Sequence, residues 1–320
     1  MEELTGAMLL WFLLTAASVV FVVFDSITNG VTSWVQRAAW ILVTIYAGPV
    51  GLFFYLMACR RPFPGGHDAF TKPRWKQAVN SEMHCLAGDA TGVVVAASVL
   101  AFVNLDNGWD ITVEYLAAFV SGLLIFQALM MRGMYGGDYW KAVRKTFFAE
   151  TVSMNMVMTG MIPVMVILEA AWPGSDHPLS ASFWFRMGLA TIVGGIIAFP
   201  INYWMVSSHL KHGCMTLPGA DGPAPDLGHR SAEMAMHGGA GTRQAGQAMS
   251  MPMGHDMPMT RQNAGGASAG SSMPDMAGMP KHGMQMHELS AAQAAIWIVA
   301  TFALLVAAVF VTAQFVPIRF

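Results

Sequence analysis

The feature that most limits how this chain can fold is a series of long apolar stretches separated by polar loops. A membrane-spanning helix needs about 20 predominantly apolar residues. Only 11% of the residues are charged, whereas soluble domains carry roughly 25%. The sequence therefore predicts an all-α, polytopic transmembrane helix bundle with about seven spans and a long, disordered Met/His-rich loop. The predicted spans are Leu4–Phe24, Ala38–Met57, Cys85–Leu105, Thr112–Met131, Thr151–Trp172, Phe183–Ser207 and Ala291–Phe315.

The basic residues of the short loops indicate the orientation, because Lys and Arg near span ends are retained in the cytoplasm. Two alternate loops, 106–111 and 173–182, contain no Lys or Arg. Seven spans then place the N-terminus in the cytoplasm and Phe320 outside a bacterial plasma membrane, with the long loop on the cytoplasmic side. The basic loop residues are Arg60, Arg61, Lys72, Arg74 and Lys76, then Arg132, Lys141, Arg144 and Lys145.

Composition divides the chain into four parts. We predict a two-helix hairpin with a basic cytoplasmic loop (1–79), a four-helix membrane core (80–216), a Met/His-rich segment (217–290) and a C-terminal transmembrane helix (291–320). The basic residues are scattered among loops and form no stripe, so no nucleic-acid partner is expected. The expected partners are the lipid bilayer and a metal ion.

The Met/His-rich segment contains twelve methionines and five histidines, concentrated in MSMPMGHDMPM and HGMQMH. Thioether sulfur is a soft ligand that selects Cu(I), and imidazole accepts copper or zinc. We expect this segment to bind metal, although a low-complexity linker could be rich in methionine by composition alone. The candidate ligands are Met249, Met251, Met253, His255, Met257, Met259, His282, Met284, Met286 and His287.

A second methionine pattern lies inside the fifth predicted span. At 3.6 residues per turn, side chains spaced by three and four residues share one helix face. The pattern predicts a row of sulfur ligands with a carboxylate at one end; the alternative is that methionine fills gaps between helices. Ser153 and Asn155 are expected to hydrogen-bond between helices. The row is Glu150, Met154, Met158, Met161 and Met165.

Two polar clusters lie near cytoplasmic span ends. HCLAGD contains His84, Cys85 and Asp89, and HLKHGCM contains His209, His212 and Cys214. An ionisable group in a membrane segment is a functional candidate, so we expect these residues to receive a metal ion. The alternative for HLKHGCM is an interfacial helix end.

Three motifs, HCLAGD, ETVSMNMVMTGMIPVM and FPINYWMVSSHLKHGCM, resemble a bacterial integral-membrane family known as a domain of unknown function, over roughly Asn80–Met215. The resemblance implies an inner-membrane protein and supplies no substrate. The Met/His-rich segment is similar to the metal-gathering stretches of bacterial copper-resistance proteins.

These patterns predict a membrane protein that binds copper, as Cu(I), for transport, efflux or buffering. No catalytic residue is predicted, and a copper chaperone or a second copy is a candidate partner. One alternative is an intramembrane metalloenzyme with zinc or iron held by His84, Asp89, His209 and His212. Another is a structural or assembly partner of a membrane complex without a metal.

Overall fold

A computed structural model describes residues 2–28, 34–59, 70–103, 105–172, 174–211 and 289–320. In these ranges the regular structure is entirely helical, which confirms the predicted all-α class. The described residues belong to one compact unit, Met1–Ala224 with Gln285–Phe320. The predicted ligands His212 and Cys214 and those of the Met/His-rich segment, with its predicted disorder, lie outside the described residues.

Six described helices are long and apolar enough to cross a membrane, each with 23 to 33 residues. They correspond to six of the seven predicted spans. Side chains help to start three of them: Asp138 and Ser180 accept hydrogen bonds from backbone amides, and Ser290 forms a capping box with Gln293. The helices are α1 (Glu2–Thr28), α4 (Arg74–Leu100), α5 (Asn107–Tyr135), α6 (Tyr139–Ala171), α7 (Ala181–Ser207) and α8 (Ala291–Ala313).

The remaining predicted span, Ala38–Met57, which is the second along the chain, is a helical hairpin in the structure. Its first arm is α2 (Trp34–Ala47), and its second arm is α3 (Pro49–Phe54), which continues as a π-helical turn (Tyr55–Cys59). The chain reverses at Gly48, which has φ of +56°, a conformation that glycine adopts readily. The proline that begins α3 lacks an N–H, so it cannot extend the hydrogen-bond ladder of α2.

The two arms of the hairpin lie against each other. A Cβ on Gly51 would lie 2.8 Å from Thr44 Cα, and the rings of Trp40 and Tyr55 meet edge to face with centroids 5.5 Å apart. Both arms contact Asn80 on α4, whose amide oxygen accepts from Trp40 Nε1 and whose amide nitrogen donates to the carbonyl of Ala58. The second arm thus returns to the end of the bundle from which the first arm starts.

The bundle has a basic end and an acidic end. The basic end is where α4 and α6 begin, with Arg74 and Lys141, and the acidic end is where α6 finishes, with Glu169. At the acidic end the C-terminal tail packs on the start of α5, because Gly108 N donates to the carbonyl of Arg319 at 2.7 Å. Helix α8 therefore runs from the basic end to the acidic end.

Helix α1 starts at the acidic end. Its Trp11 ring packs edge to face on Phe185 near the start of α7, and its Asp25 accepts a hydrogen bond from Tyr55 of the hairpin at 2.9 Å. The predicted topology has the N-terminus in the cytoplasm and Phe320 outside, so it requires an odd number of crossings. Because the hairpin returns, the described helices make six crossings, an even number, and Glu2 and Phe320 both lie at the acidic end.

Helix α4 approaches α5 closely at small residues, and α6 approaches α7 in the same way, as membrane helices commonly do. A Cβ on Gly92 of α4 would lie 2.5 Å from Ala118 Cα of α5. A Cβ on Gly160 of α6 would lie 2.9 Å from Gly194 Cα of α7. These contacts place the polar side chains of α4 and α6 inside the bundle, away from lipid.

Candidate functional site

A buried polar cluster lies between α4, α6 and α7 towards the basic end. Every member is at most 2% exposed, although several of them are ionisable. Charged groups inside a membrane segment are costly, so a concentration of them marks a functional site by default. This lysine cluster consists of Cys85, Asp89, Glu150, Ser153, Asn202 and Lys211.

Lys211 is the cation of the lysine cluster. Its Nζ donates to Asn202 Oδ1 at 2.6 Å, to Cys85 Sγ at 3.0 Å and to Ser153 Oγ at 3.1 Å. An ammonium group has three N–H donors, so these three contacts use all of them. Lys211 thereby joins three transmembrane helices at one point.

A tight turn after α7 brings Lys211 back into the bundle. His209 has φ of +57°, which is uncommon for a residue other than glycine. The backbone amides of Leu210 and Lys211 both donate to the carbonyl of Met205, at 2.8 and 3.2 Å. The same turn leaves His209 exposed and buries Lys211.

The carboxyl groups of the lysine cluster face the backbone of α5. Cys85 Sγ donates to Glu150 Oε2 at 3.1 Å, but Glu150 Oε1 and both oxygens of Asp89 have no hydrogen-bond partner among the described residues. A Cβ on Gly122 would lie 2.7 Å from Asp89 Oδ1 and closer still to Glu150 Oε1. Glycine at 122 therefore leaves the space that these two carboxyl groups occupy.

Buried acceptors without donors need an explanation, such as a cation, a proton or a water molecule. Asp89 and Glu150 bring two carboxyl groups to one place, while Lys211 supplies a single positive charge. Two of these oxygens, Asp89 Oδ1 and Glu150 Oε1, lie beside Gly122 and can receive a further cation. The arrangement is thus suited to binding or passing a positively charged species.

The four predicted methionines of α6 are all buried: Met154 and Met161 are 0% exposed, Met158 is 1% and Met165 is 6%. They follow Glu150 on the same helix, and each four-residue step rises by about 6 Å. Met161 packs where α6 and α7 approach, since a Cβ on Gly194 would meet its Cγ at 2.6 Å.

The predicted hydrogen bonds between helices at Ser153 and Asn155 are confirmed. Ser153 Oγ donates to Asn202 Oδ1 at 2.9 Å. Asn155 accepts from the Tyr115 hydroxyl at 2.8 Å and donates to Thr301 Oγ1 at 3.1 Å. These bonds connect α6 with α5, α7 and α8 around the methionine row.

At the acidic end the methionine row reaches a cavity of about 540 Å³. Met165 lines this acidic-end cavity together with Asp110, Glu114 and Glu169. Arg186 lies in its wall, is 2% exposed, and forms an ion pair with Glu169. The cavity therefore presents carboxyl groups and a sulfur atom to one shared space.

The structure brings together only part of the predicted ligand set. Cys85, Asp89 and Glu150 meet, and the methionine row continues from them. His84 is buried whereas His209 is exposed, so these two histidines do not share a site. Over the described ranges no three His, Cys, Asp or Glu side chains form a metal-ligand group.

Sequence reasoning missed three residues that shape these sites. The sequence places Lys211 only in the alternative of an interfacial helix end, and it assigns no role to Asn202 or Arg186. A buried pair of carboxyl groups requires a nearby cation, and that requirement is the one signal that could have pointed to Lys211. Its position depends on the turn at His209, which spacing does not predict.

Residues 74–211 match the model of a family described as a domain of unknown function, DUF4396. This range contains HCLAGD and ETVSMNMVMTGMIPVM whole and the third motif as far as Lys211, so the resemblance is confirmed for that part of the chain. Comparison with curated proteins and with solved structures gave no match. What is established is thus a multi-pass helical membrane protein whose central part carries a domain of unknown function.

Proposed function

We propose that this chain is a membrane carrier for copper, as Cu(I), that moves the ion across the bilayer or buffers it. One observation carries the proposal: four buried methionines form a row between the lysine cluster and the acidic-end cavity. Thioether and thiolate sulfur select Cu(I) over hard cations. If the methionines only filled gaps between helices, the row would need no carboxyl pair at one end and no acidic cavity at the other.

The row has the dimensions of a path through the bilayer. From Glu150 to Met165 the helix rises about 22 Å, and the hydrocarbon core is about 30 Å thick. Neutral sulfur ligands of similar affinity along the row would bind an ion firmly enough to admit it and weakly enough to release it, as conduction requires. Glu150 and Glu169 supply negative charge near the two ends.

Lys211 occupies the end of the path near the basic loops. Its ammonium contacts Cys85, which is the thiol ligand that Cu(I) would bind first. An arriving ion takes over the position of the ammonium, and the nearby carboxyl groups then compensate the charge of the ion. Lys211 thus acts as a tethered cation that offsets part of the charge of the buried carboxyl pair between transport events.

The Met/His-rich segment connects α7 and α8, and the described residues at its two borders, Lys211 and Leu289, both lie at the basic end. Basic loops are retained in the cytoplasm. We therefore place this segment on the cytoplasmic side of a bacterial inner membrane, where it gathers Cu(I) and passes it to Cys85. A soluble copper chaperone on that side is the expected partner, and a second copy of this chain is the alternative.

An anaerobic Cu(I) competition titration on the purified full chain tests the proposal. We expect the Cys85→Ser variant to lose one tightly bound ion, since a hydroxyl is a hard and weak ligand for Cu(I). The Met134→Leu variant is the matched control, because Met134 is 44% exposed and lies outside the row. Equal binding by wild type and Cys85→Ser contradicts the proposed entry site.

A further inference from the structure

A second cavity lies between the α2–α3 hairpin and helices α4 and α7. Its volume is about 530 Å³, within the range of roughly 300–1,000 Å³ that is typical of small-molecule sites. The lining of this hairpin cavity is almost wholly apolar. It includes Val43, Phe54, Leu86, Ile192, Ile196 and Phe199.

Glu82 distinguishes the hairpin cavity from a purely apolar groove that lipid chains would fill. Among the described residues that line the cavity it is the ionisable one, and it is 2% exposed. Its Oε1 has no hydrogen-bond partner within the described part of the chain. This oxygen points towards the Gly195 wall, where an added Cβ would lie 3.9 Å away.

The neighbouring polar groups that the structure describes do not donate to Glu82 Oε1. The three N–H donors of Lys211 are already used by Asn202, Cys85 and Ser153. The Thr191 hydroxyl, which also lines the cavity, donates to the carbonyl of Met187 at 2.8 Å. A buried acceptor without a donor costs free energy, so a ligand that brings a donor would be bound preferentially.

We propose that the hairpin cavity binds a lipid-soluble alcohol, whose hydroxyl donates a hydrogen bond to Glu82 while its apolar body fills the cavity. A hydroxyl has one donor, which matches the one acceptor that lacks a partner. A primary ammonium would bring three donors to the same wall and leave buried donors unsatisfied. A hydrocarbon would leave Glu82 Oε1 without a hydrogen-bond donor. The proposal does not depend on Cu(I) transport.

Photolabelling of the full chain in lipid nanodiscs tests this proposal. The probe is a long-chain primary alcohol with a diazirine in its chain, and the control probe is the corresponding alkane without the hydroxyl. We expect the alcohol to label peptides containing Phe54, Leu86 or Ile196 about tenfold more than the alkane, as one recovered hydrogen bond in a buried site implies. Equal labelling by the two probes overturns the proposal, because an unselective lipid groove would give that result.

Two substitutions of Glu82 separate hydrogen bonding from shape. Glu82→Leu removes the acceptor, so labelling by the alcohol should fall to the level of the alkane. Glu82→Gln keeps one carbonyl acceptor and should retain most of the labelling. Unchanged labelling of Glu82→Leu, in protein that elutes as a single species, contradicts the assigned role of Glu82.

A third variant keeps the test decisive if Glu82→Leu does not fold. In Gly195→Leu the added side chain would start 3.1 Å from Leu86 Cδ1 and project into the cavity. Filling the cavity should abolish labelling by the alcohol. Labelling at the wild-type level in the folded Gly195→Leu variant means that the alcohol binds elsewhere and overturns the proposal.

Discussion

Lys211 illustrates how much of the protein depends on single buried residues. It is one of the largest fully buried side chains, and it contacts Cys85 of α4, Ser153 of α6 and Asn202 of α7. Residue types and spacing predicted Cys85, Asp89 and Glu150 as members of a site. They could not predict Lys211, because its burial follows from a backbone turn and not from helical periodicity.

Replacing Lys211 should destabilise the protein strongly. Lys211→Gln leaves the buried carboxyl groups of Asp89 and Glu150 without a nearby cation, and an uncompensated buried charge costs about 3–5 kcal/mol. The measurement is the free energy of unfolding in detergent, followed by circular dichroism. Lys141→Gln is the control, since Lys141 is exposed and its loss should change stability by less than about 0.5 kcal/mol. Similar stabilities of the two variants would argue against a charged Lys211 in the lysine cluster.

At the scale of elements, apolar length predicted the six long helices, and helical spacing predicted the buried face of α6. The hairpin was missed for a physical reason. An apolar stretch of the right length is compatible with one crossing or with two short arms, and composition does not distinguish them. Gly48 and Pro49 together were the available signal, but a proline inside a membrane helix also occurs as a kink.

Gly48 should be essential to the hairpin, and Gly136 offers a matched control. Both glycines have positive φ, at +56° and +69°. A Cβ on Gly48 would lie 2.5 Å from Thr15 Oγ1, whereas a Cβ on Gly136 would meet nothing within 4 Å. Alanine at 136 should cost about 1–2 kcal/mol of backbone strain. Alanine at 48 adds a steric clash that costs about 1–3 kcal/mol more.

The thermal midpoint of the two glycine variants checks this difference. Gly48→Ala should unfold at a clearly lower temperature than Gly136→Ala, with the wild type above both. If the two variants have the same midpoint, the chain does not turn tightly against Thr15 at Gly48. A hairpin packed on α1 would then be excluded.

For the whole molecule, the hairpin changes the expected side of the N-terminus, while Phe320 keeps its expected side. The prediction of opposite sides rests on seven crossings, and six crossings place both termini on the side opposite the basic loops. The hairpin precedes the first basic loop, so the rest of the topology is unaffected. The proposal that the Met/His-rich segment gathers Cu(I) on the cytoplasmic side is therefore compatible with six crossings.

Reporter fusions measure the topology directly. Alkaline phosphatase fused after Phe320 should be active, and green fluorescent protein fused before Met1 should be dark, because both ends are expected outside the cytoplasm. A fluorescent protein inserted between Gly136 and Gly137, at the basic end, should be bright. A bright fusion at Met1 combined with active phosphatase at Phe320 would mean an odd number of crossings and a hairpin that spans the membrane.

The most direct test of the central claim is Cu(I) flux in proteoliposomes that contain a Cu(I)-binding dye, under anaerobic conditions. The variant replaces Met154, Met158, Met161 and Met165 by leucine, which approximately conserves volume and removes every sulfur of the row. Its control replaces Met57 and Met134, both exposed, in the same way. We predict that the control transports Cu(I) like the wild type, while the four-methionine variant remains folded and loses transport. Equal initial rates in all three proteins would contradict a path through the methionine row.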